Sequence, residues 1–180
     1  MPRLFTAIDL PDEHKARLTA LQDPTLSVRW TPEAQYHLTL RFIGDVDEET
    51  LASFEAALAS VQAPTFELEG NNLGVFPSLR RPRVIYAGIP PKPPLLGVHA
   101  SITHELGKIG IAPDTKPFRP HITIARVKKA SAAAVRTFLR AHQSFTLPPF
   151  SVSHFHLYES ILRPEGALHL QRRRFALGNR

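Results

Sequence analysis

Cysteine is absent from the 180 residues. Its absence excludes disulfides, thiolate zinc sites, a cysteine nucleophile and redox chemistry through protein thiols, while histidine and carboxylate metal sites stay open. Also missing is any apolar stretch of about 20 residues, the length a membrane-crossing helix needs. The opening Met1-Pro2-Arg3-Leu4-Phe5 runs straight into strand-like sequence, without the pattern of a secretory leader. Together these absences predict a soluble, cytoplasmic protein. Acidic residues are the minority, 16 against 22 Lys and Arg, which leaves a formal net charge of +6. A positive field concentrates phosphates and steers their approach, so charge points to an anionic partner without choosing among nucleic acid, nucleotide and membrane surface. With 43% hydrophobic residues the chain can fill a core, either of one domain or of two small lobes sharing a sheet system.

What the chain does contain is one tetrapeptide pattern twice, His37-Leu38-Thr39-Leu40 and His121-Ile122-Thr123-Ile124. Side chains alternate between the faces of a strand, so each histidine shares a face with its threonine while the aliphatic partners face a core. For this content of His and Thr, chance supplies roughly 0.6 His-x-Thr triplets, and only about 0.1 once apolar neighbours are required. One copy reads equally as a half-buried strand with a polar outer face; two copies do not. An imidazole gains or loses a proton near neutral pH, and a threonine hydroxyl donates to an anionic oxygen. Two such pairs facing each other would make a site for acid-base chemistry on a phosphate.

Along the chain, residues 3–9 read as a strand and the segment from Asp12 as a helix with Leu18 and Leu21 on its apolar face. The first motif lies in a strand over 36–43, closed by Gly44-Asp45. From Asp47 a helix places Leu51, Phe54, Leu58 and Val61 at spacings of three and four. Strands follow over 66–76 and 84–88, separated by a Pro- and Arg-rich turn at 77–82. The tract Pro90-Pro91-Lys92-Pro93-Pro94 reads as a stiff connector and the best internal boundary. Beyond it come a helix over 95–109, the second motif strand over 120–127, a helix over 131–142 and strands over 150–159 and 168–177. The histidines are 84 residues apart in sequence (121 − 37). A local hairpin cannot join them, and the simplest arrangement is a pseudo-symmetric pair of α+β lobes with both motifs lining a central cleft.

Four segments taken together carry a family resemblance: Arg3-Leu4-Phe5-Thr6-Ala7-Ile8-Asp9-Leu10-Pro11, His37-Leu38-Thr39-Leu40-Arg41-Phe42-Ile43-Gly44, Phe118-Arg119-Pro120-His121-Ile122-Thr123-Ile124-Ala125-Arg126-Val127 and Phe155-His156-Leu157-Tyr158-Glu159-Ser160. In this order, nearly end to end, they resemble the two-histidine (2H) phosphoesterases, specifically the bacterial and archaeal RNA 2′,3′-cyclic phosphodiesterases long called 2′-5′ RNA ligases. The resemblance implies a bilobal α+β fold as one domain over 1–180, with two antiparallel sheets lining the cleft, no metal and no cofactor. It implies hydrolysis of a 2′,3′-cyclic phosphate at an RNA end to a 2′-phosphomonoester, with a weaker reversible ligation between tRNA halves. The catalytic set implied is His37, Thr39, His121 and Thr123, with His121 as base and His37 as acid in hydrolysis. A monomer acting on RNA ends or small cyclic nucleotides, with no membrane partner, is the expected working state.

Arg126 is a further phosphate-contact candidate, although strict alternation turns it away from His121. Phe5, Phe42 and Tyr158 could stack a base, as aromatics do on single-stranded RNA, or simply pack in the core. The basic groups Arg80, Arg81 and Arg83, Arg126 with Lys128 and Lys129, and Arg172-Arg173-Arg174 are candidate binding surfaces or solvated faces. His154 and His156 share a strand face without a matching carboxylate, and His99 and His104 do not align on their helix, so these read as structural or surface residues. Two rival classes remain at this point. A non-catalytic RNA-end binder would use the same basic cleft but has no reason to oppose two titrating groups, and a metal-dependent hydrolase would need ligand spacings that the motif histidines lack.

Overall fold

Arg3–Asp9 forms β1, a strand buried on both faces through Leu4, Phe5, Thr6, Ala7 and Ile8. A strand covered on both sides belongs inside a sheet, and β1 lies between two neighbours. The structure is a computed structural model, which describes residues 2–164 and 166–178. Pro11 precedes α1 (Asp12–Thr19), with Asp12 and Glu13 in the first turn, where the helix dipole favours negative charge. In chain order follow β2 (Val28–Trp30), β3 (His37–Asp45), α2 (Glu48–Ala59), β4 (Phe66–Phe76), β5 (Val84–Gly88), α3 (Pro93–Lys108), β6 (His121–Val127), α4 (Ala132–Ala141), β7 (Thr146–Val152), β8 (His154–Arg163) and β9 (Gly166–Ala176).

The strands make two antiparallel sheets, ordered β3-β1-β8-β9 and β2-β6-β5-β4-β7. The α+β class expected from the sequence is the class observed, but neither sheet is one half of the chain. The four-stranded sheet joins the first strands to the last. The proline tract does not divide lobes either: it links β5 to β6, which are neighbours in one sheet. Pro93 and Pro94 open α3, because the first turn of a helix needs no N–H from them. The single strand expected over 150–159 is two strands. The chain leaves the five-stranded sheet after Val152, passes Ser153 and enters the four-stranded sheet at His154.

Helices α2 and α3 pack against each other, and α3 buries Leu95, Val98, Ile102 and Leu106 at spacings of three and four. Ser131 caps α4, its hydroxyl accepting from the Ala134 N–H at 3.1 Å. One continuous apolar core runs through both sheets and includes Leu38 and Leu40 of β3 with Ile122 and Ile124 of β6. Burying each such side chain is worth about 1.5–3 kcal/mol, so the aliphatic residues of the two motifs anchor the strands whose other face carries the histidines. Among the described residues no helix is long and apolar enough to cross a membrane.

Candidate active site

In β3 and β6 the alternation holds for four residues and then breaks in the same way. Leu38 and Ile122 are fully buried, and His37, Thr39, His121 and Thr123 lie half-buried on the opposite face. The pairing of β3 with β1 then passes from Thr39 to Arg41, skipping Leu40, and the pairing of β6 with β5 passes from Thr123 to Ala125, skipping Ile124. Each skip is a β-bulge, which gives two consecutive inward residues and restarts the outward face one position later. Phe42 and Arg126 are the residues brought out. Arg126 therefore shares the face of His121 and Thr123 and lines the same cleft, where unbroken alternation had turned it away. Arg41, turned inward by the same device, is buried and spans to the segment before β6, donating to the Ala112 carbonyl and pairing with Asp114.

The two imidazoles are held alike. His37 donates Nδ1–H to the Gln35 carbonyl at 2.8 Å, and His121 donates Nδ1–H to the Arg119 carbonyl at 2.7 Å, in each case two residues back. That bond fixes the tautomer and leaves the acceptor lone pair on Nε2. His37 Nε2 accepts from the Thr39 hydroxyl at 3.0 Å. Aromatic rings hold both side chains in place. His37 lies 5.0 Å from Phe5 and 6.2 Å from Tyr158, while His121 meets Phe76 and Tyr86 edge to face at 4.9 and 5.5 Å. Gly74 lets Tyr86 lie flat across β4, since a Cβ there would come within 2.5 Å of the tyrosine ring. Burial pushes His37 down to about 4 against the pull of the Gln35 carbonyl, and burial also lowers His121. Both are neutral in the free cleft at pH 7.

The cleft between the sheets has a volume of about 890 Å³ and is lined by His37, Thr39, His121, Thr123, Arg126, Phe5 and Phe42. All four expected catalytic residues thus come together. Phe42, 66% exposed, stands at its lip, whereas Phe5 is buried in its floor. Tyr158 lies behind, stacked on Phe5 at 5.3 Å, and supports the floor without lining the cleft. Sequence reasoning missed Arg3, Arg29 and Arg163, the aromatics Trp30 and Phe76, and a third histidine, His169, all of which line the cleft. The strands of Arg3, Phe76 and His169 were legible, whereas β2, which carries Arg29 and Trp30, and the end of β8, which carries Arg163, were not, and neither was which strands would be neighbours.

The other basic groups separate by their partners. Arg172 pairs with Glu159 at 3.2 Å, Arg173 with Glu55 at 2.7 Å, and Arg174 donates to His154 at 3.1 Å, so that run is engaged within the fold. Arg80, Arg81 and Arg83 are exposed on the turn between Phe76 and Val84, two residues that line the cleft. His154 and His156 lie 4.9 Å apart, and His99 stacks flat on Phe118 at 4.2 Å. No group of three or more His, Asp or Glu suited to hold a metal ion occurs among the described residues.

A family model, LigT-like phosphoesterase, matches residues 8–86 and 88–169. An RNA 2′,3′-cyclic phosphodiesterase of Archaeoglobus fulgidus is 31% identical over 176 residues, covering 96% of this chain and 99% of the relative. One from Thermus thermophilus is 36% identical over 186 residues, covering 97% and 90%. Among solved structures, a Thermus thermophilus protein superposes with a TM-score of 0.83 at 27% identity, covering 99% of this chain and all (100%) of that one. Escherichia coli LigT complexed with phosphate does so with 0.74 at 25% identity, covering 99% and 98%.

Proposed function

The chain belongs to the LigT-like phosphoesterases, and with the cleft geometry as second premise we propose that it hydrolyses 2′,3′-cyclic phosphates at RNA ends to 2′-phosphomonoesters by two-histidine acid-base catalysis without a metal. One observation carries this reading. Two imidazoles of the same tautomer, each tied to the carbonyl two residues back and each beside a threonine hydroxyl, line one arginine-bearing cleft. Relatives named RNA 2′,3′-cyclic phosphodiesterase support the choice of substrate class.

In the reaction one neutral imidazole takes a proton from water as the water oxygen attacks phosphorus. The P–O3′ bond breaks on the opposite side, and the second imidazole, protonated, gives its proton to O3′. The products are a 2′-phosphate and a free 3′-hydroxyl. Thr39, Thr123 and Arg126 hold the non-bridging oxygens on which charge accumulates, a preorganised set of donors. A 5′-hydroxyl in place of water gives a 2′-5′ linkage, and the reverse step exchanges the roles of the imidazoles. Phe42 and Leu162, 66% and 69% exposed on the cleft lip, offer an apolar platform for the base.

Burial lowers both imidazoles, and the roles follow the resemblance, with His121 as base and His37 as acid in hydrolysis. An aryl phosphodiester, whose leaving group needs no proton, tests the assignment: of His37→Ala and His121→Ala, only the variant lacking the acid should recover. The activity itself is tested by incubating chelator-treated protein with RNA bearing a 2′,3′-cyclic phosphate and identifying the product isomer. A 2′-phosphate is expected; a 3′-phosphate, or strict need for an added divalent ion, overturns the reading.

A further inference from the structure

His169 is the third imidazole of the cleft and has no part in the chemistry described above. It stands on β9, opposite Ser160 of β8, and reaches His37 through two intervening strands of the sheet. Its ring meets His37 and Phe5 edge to face, with centroids 5.0 Å away in each case. Across the cleft, Arg126 is near enough to oppose its protonation, second to the effect of burial. His37, His169 and Arg126 therefore border one small volume.

Its two nitrogens have unlike surroundings. Nδ1 is sealed from solvent and has no hydrogen-bond partner among the described residues, whereas the ring lines the cleft. A sealed N–H with no acceptor is a poor place for the proton of a neutral imidazole, so that proton belongs on Nε2. The tautomer is opposite to that of His37 and His121, whose Nδ1–H groups are taken by backbone carbonyls. Two imidazoles thus offer lone pairs to the cleft, and the third offers a neutral donor.

We propose that His169 is a substrate-contacting residue that donates its Nε2–H to a non-bridging phosphate oxygen beside His37. The assignment rests on the function read above, and it adds a donor from the sheet opposite Arg126. A neutral donor suits this position. A protonated His169 would place a second cation against His37 and hinder its uptake of a proton during turnover, whereas the neutral ring holds the oxygen and leaves His37 free to titrate.

The test begins with the unliganded protein. Two-bond ¹⁵N–¹H correlation spectra should show His169 protonated at Nε2, and His37 and His121 at Nδ1; a proton on Nδ1 of His169 overturns the proposal. Inorganic phosphate should shift the His169 Nε2 signal. His169→Phe keeps the ring packing on Phe5 and should weaken phosphate binding and lower kcat by about 10-fold to 10²-fold, at or below the lower end of the cost of losing an oxyanion donor. In His169→Gln the amide nitrogen reaches about as far as Nε2 and should recover most of the loss; in His169→Asn it reaches only as far as Nδ1 and should not. Equal recovery by both, or a Phe variant that binds phosphate and turns over like the wild type, refutes the assignment. If the wild type binds phosphate through His169 yet leaves a 2′,3′-cyclic phosphate intact, the phosphodiesterase reading fails and the donor assignment stands. If it binds no phosphate yet hydrolyses the cyclic phosphate, the donor assignment fails and the phosphodiesterase reading stands.

Discussion

At the scale of single residues, the site depends on which nitrogens carry protons. His37→Ala and His121→Ala should each cost about 10²-fold to 10⁴-fold in turnover, because each removes one proton-transfer partner. Thr39→Val and Thr123→Val should cost less, about 10-fold to 10³-fold, by deleting one donor to the phosphate. Both imidazoles titrate below their ordinary value in the free cleft. The optimum of kcat/KM should therefore lie on the acid side of about 6.5, and that of kcat higher, since bound phosphate favours the imidazolium; coincident optima at or above neutrality would contradict this. The same burial governs stability. His37 and His156 are both pushed to about 4, chiefly by desolvation. The unfolded chain takes up these protons near pH 6.5 and the fold only near 4, so stability is full above about 6.5, declines as pH falls and levels off below about 4. Melting temperature followed from pH 7.5 to 4 should show that decline, and His156→Phe should flatten it. The motif histidines and threonines were legible because a period of two assigns them to one face. His169 sits in a similar alternation, Ala167-Leu168-His169-Leu170-Gln171, but nothing local says that β9 borders β8 or that β8 borders β1.

At the scale of elements, the paired bulges decide what accompanies each histidine. One extra residue in β3 turns Arg41 inward and Phe42 outward, and one in β6 turns Ala125 inward and Arg126 outward. The two motifs are thus equivalent over six residues, with an aromatic delivered to one wall and a cation to the other. A bulge leaves no mark in hydrophobic periodicity beyond two adjacent inward residues, and Leu40-Arg41 conceals even that because one of the pair is charged. Arg41 carries a prediction of its own. It ties β3 to the segment that leads into His121 through Ala112 and Asp114. Arg41→Met should lower unfolding free energy by about 2–3 kcal/mol, the scale of hydrogen bonds to a buried charged group, and should also reduce kcat as His121 loses its fixed approach. Urea unfolding beside turnover measurements checks both; an unchanged kcat would confine Arg41 to stability. The strand expected over 150–159 is divided because Ser153 is where the chain changes sheets, a tertiary choice that propensity does not encode.

At the scale of the whole molecule, part of the net charge of +6 lies on arginines that border the cleft. Arg29, Arg126 and Arg163 border the cleft from both sheets, while Arg3, Arg172 and Arg173 are paired with carboxylates. A longer RNA can touch more of this surface than a mononucleotide does. Its KM should rise more steeply with salt, by about 0.7 in logarithmic slope for each phosphate neutralised. Substituting Arg29, Arg163 or the Arg80, Arg81 and Arg83 group should weaken RNA ends more than a minimal cyclic nucleotide, and equal, salt-independent KM values would assign these arginines to solubility. The arrangement of the sheets also bears on how the molecule is made. The strand carrying His37 lies beside β1, and the other side of β1 is closed only by β8, more than a hundred residues later in the chain. On the ribosome, the wall that carries His37 stays an open sheet edge until β8 and β9 emerge, whereas β4 and β5 can pair as soon as they are synthesised. Contacts so distant in sequence make folding slow and late-closing. A fragment ending at the proline tract should accordingly neither fold nor bind phosphate, and supplying the remaining residues in trans should restore both. From the emergence of β6 until β9 follows, the nascent chain holds both histidine motifs while the sheet that bears His37 is still incomplete, so the cleft between them closes last.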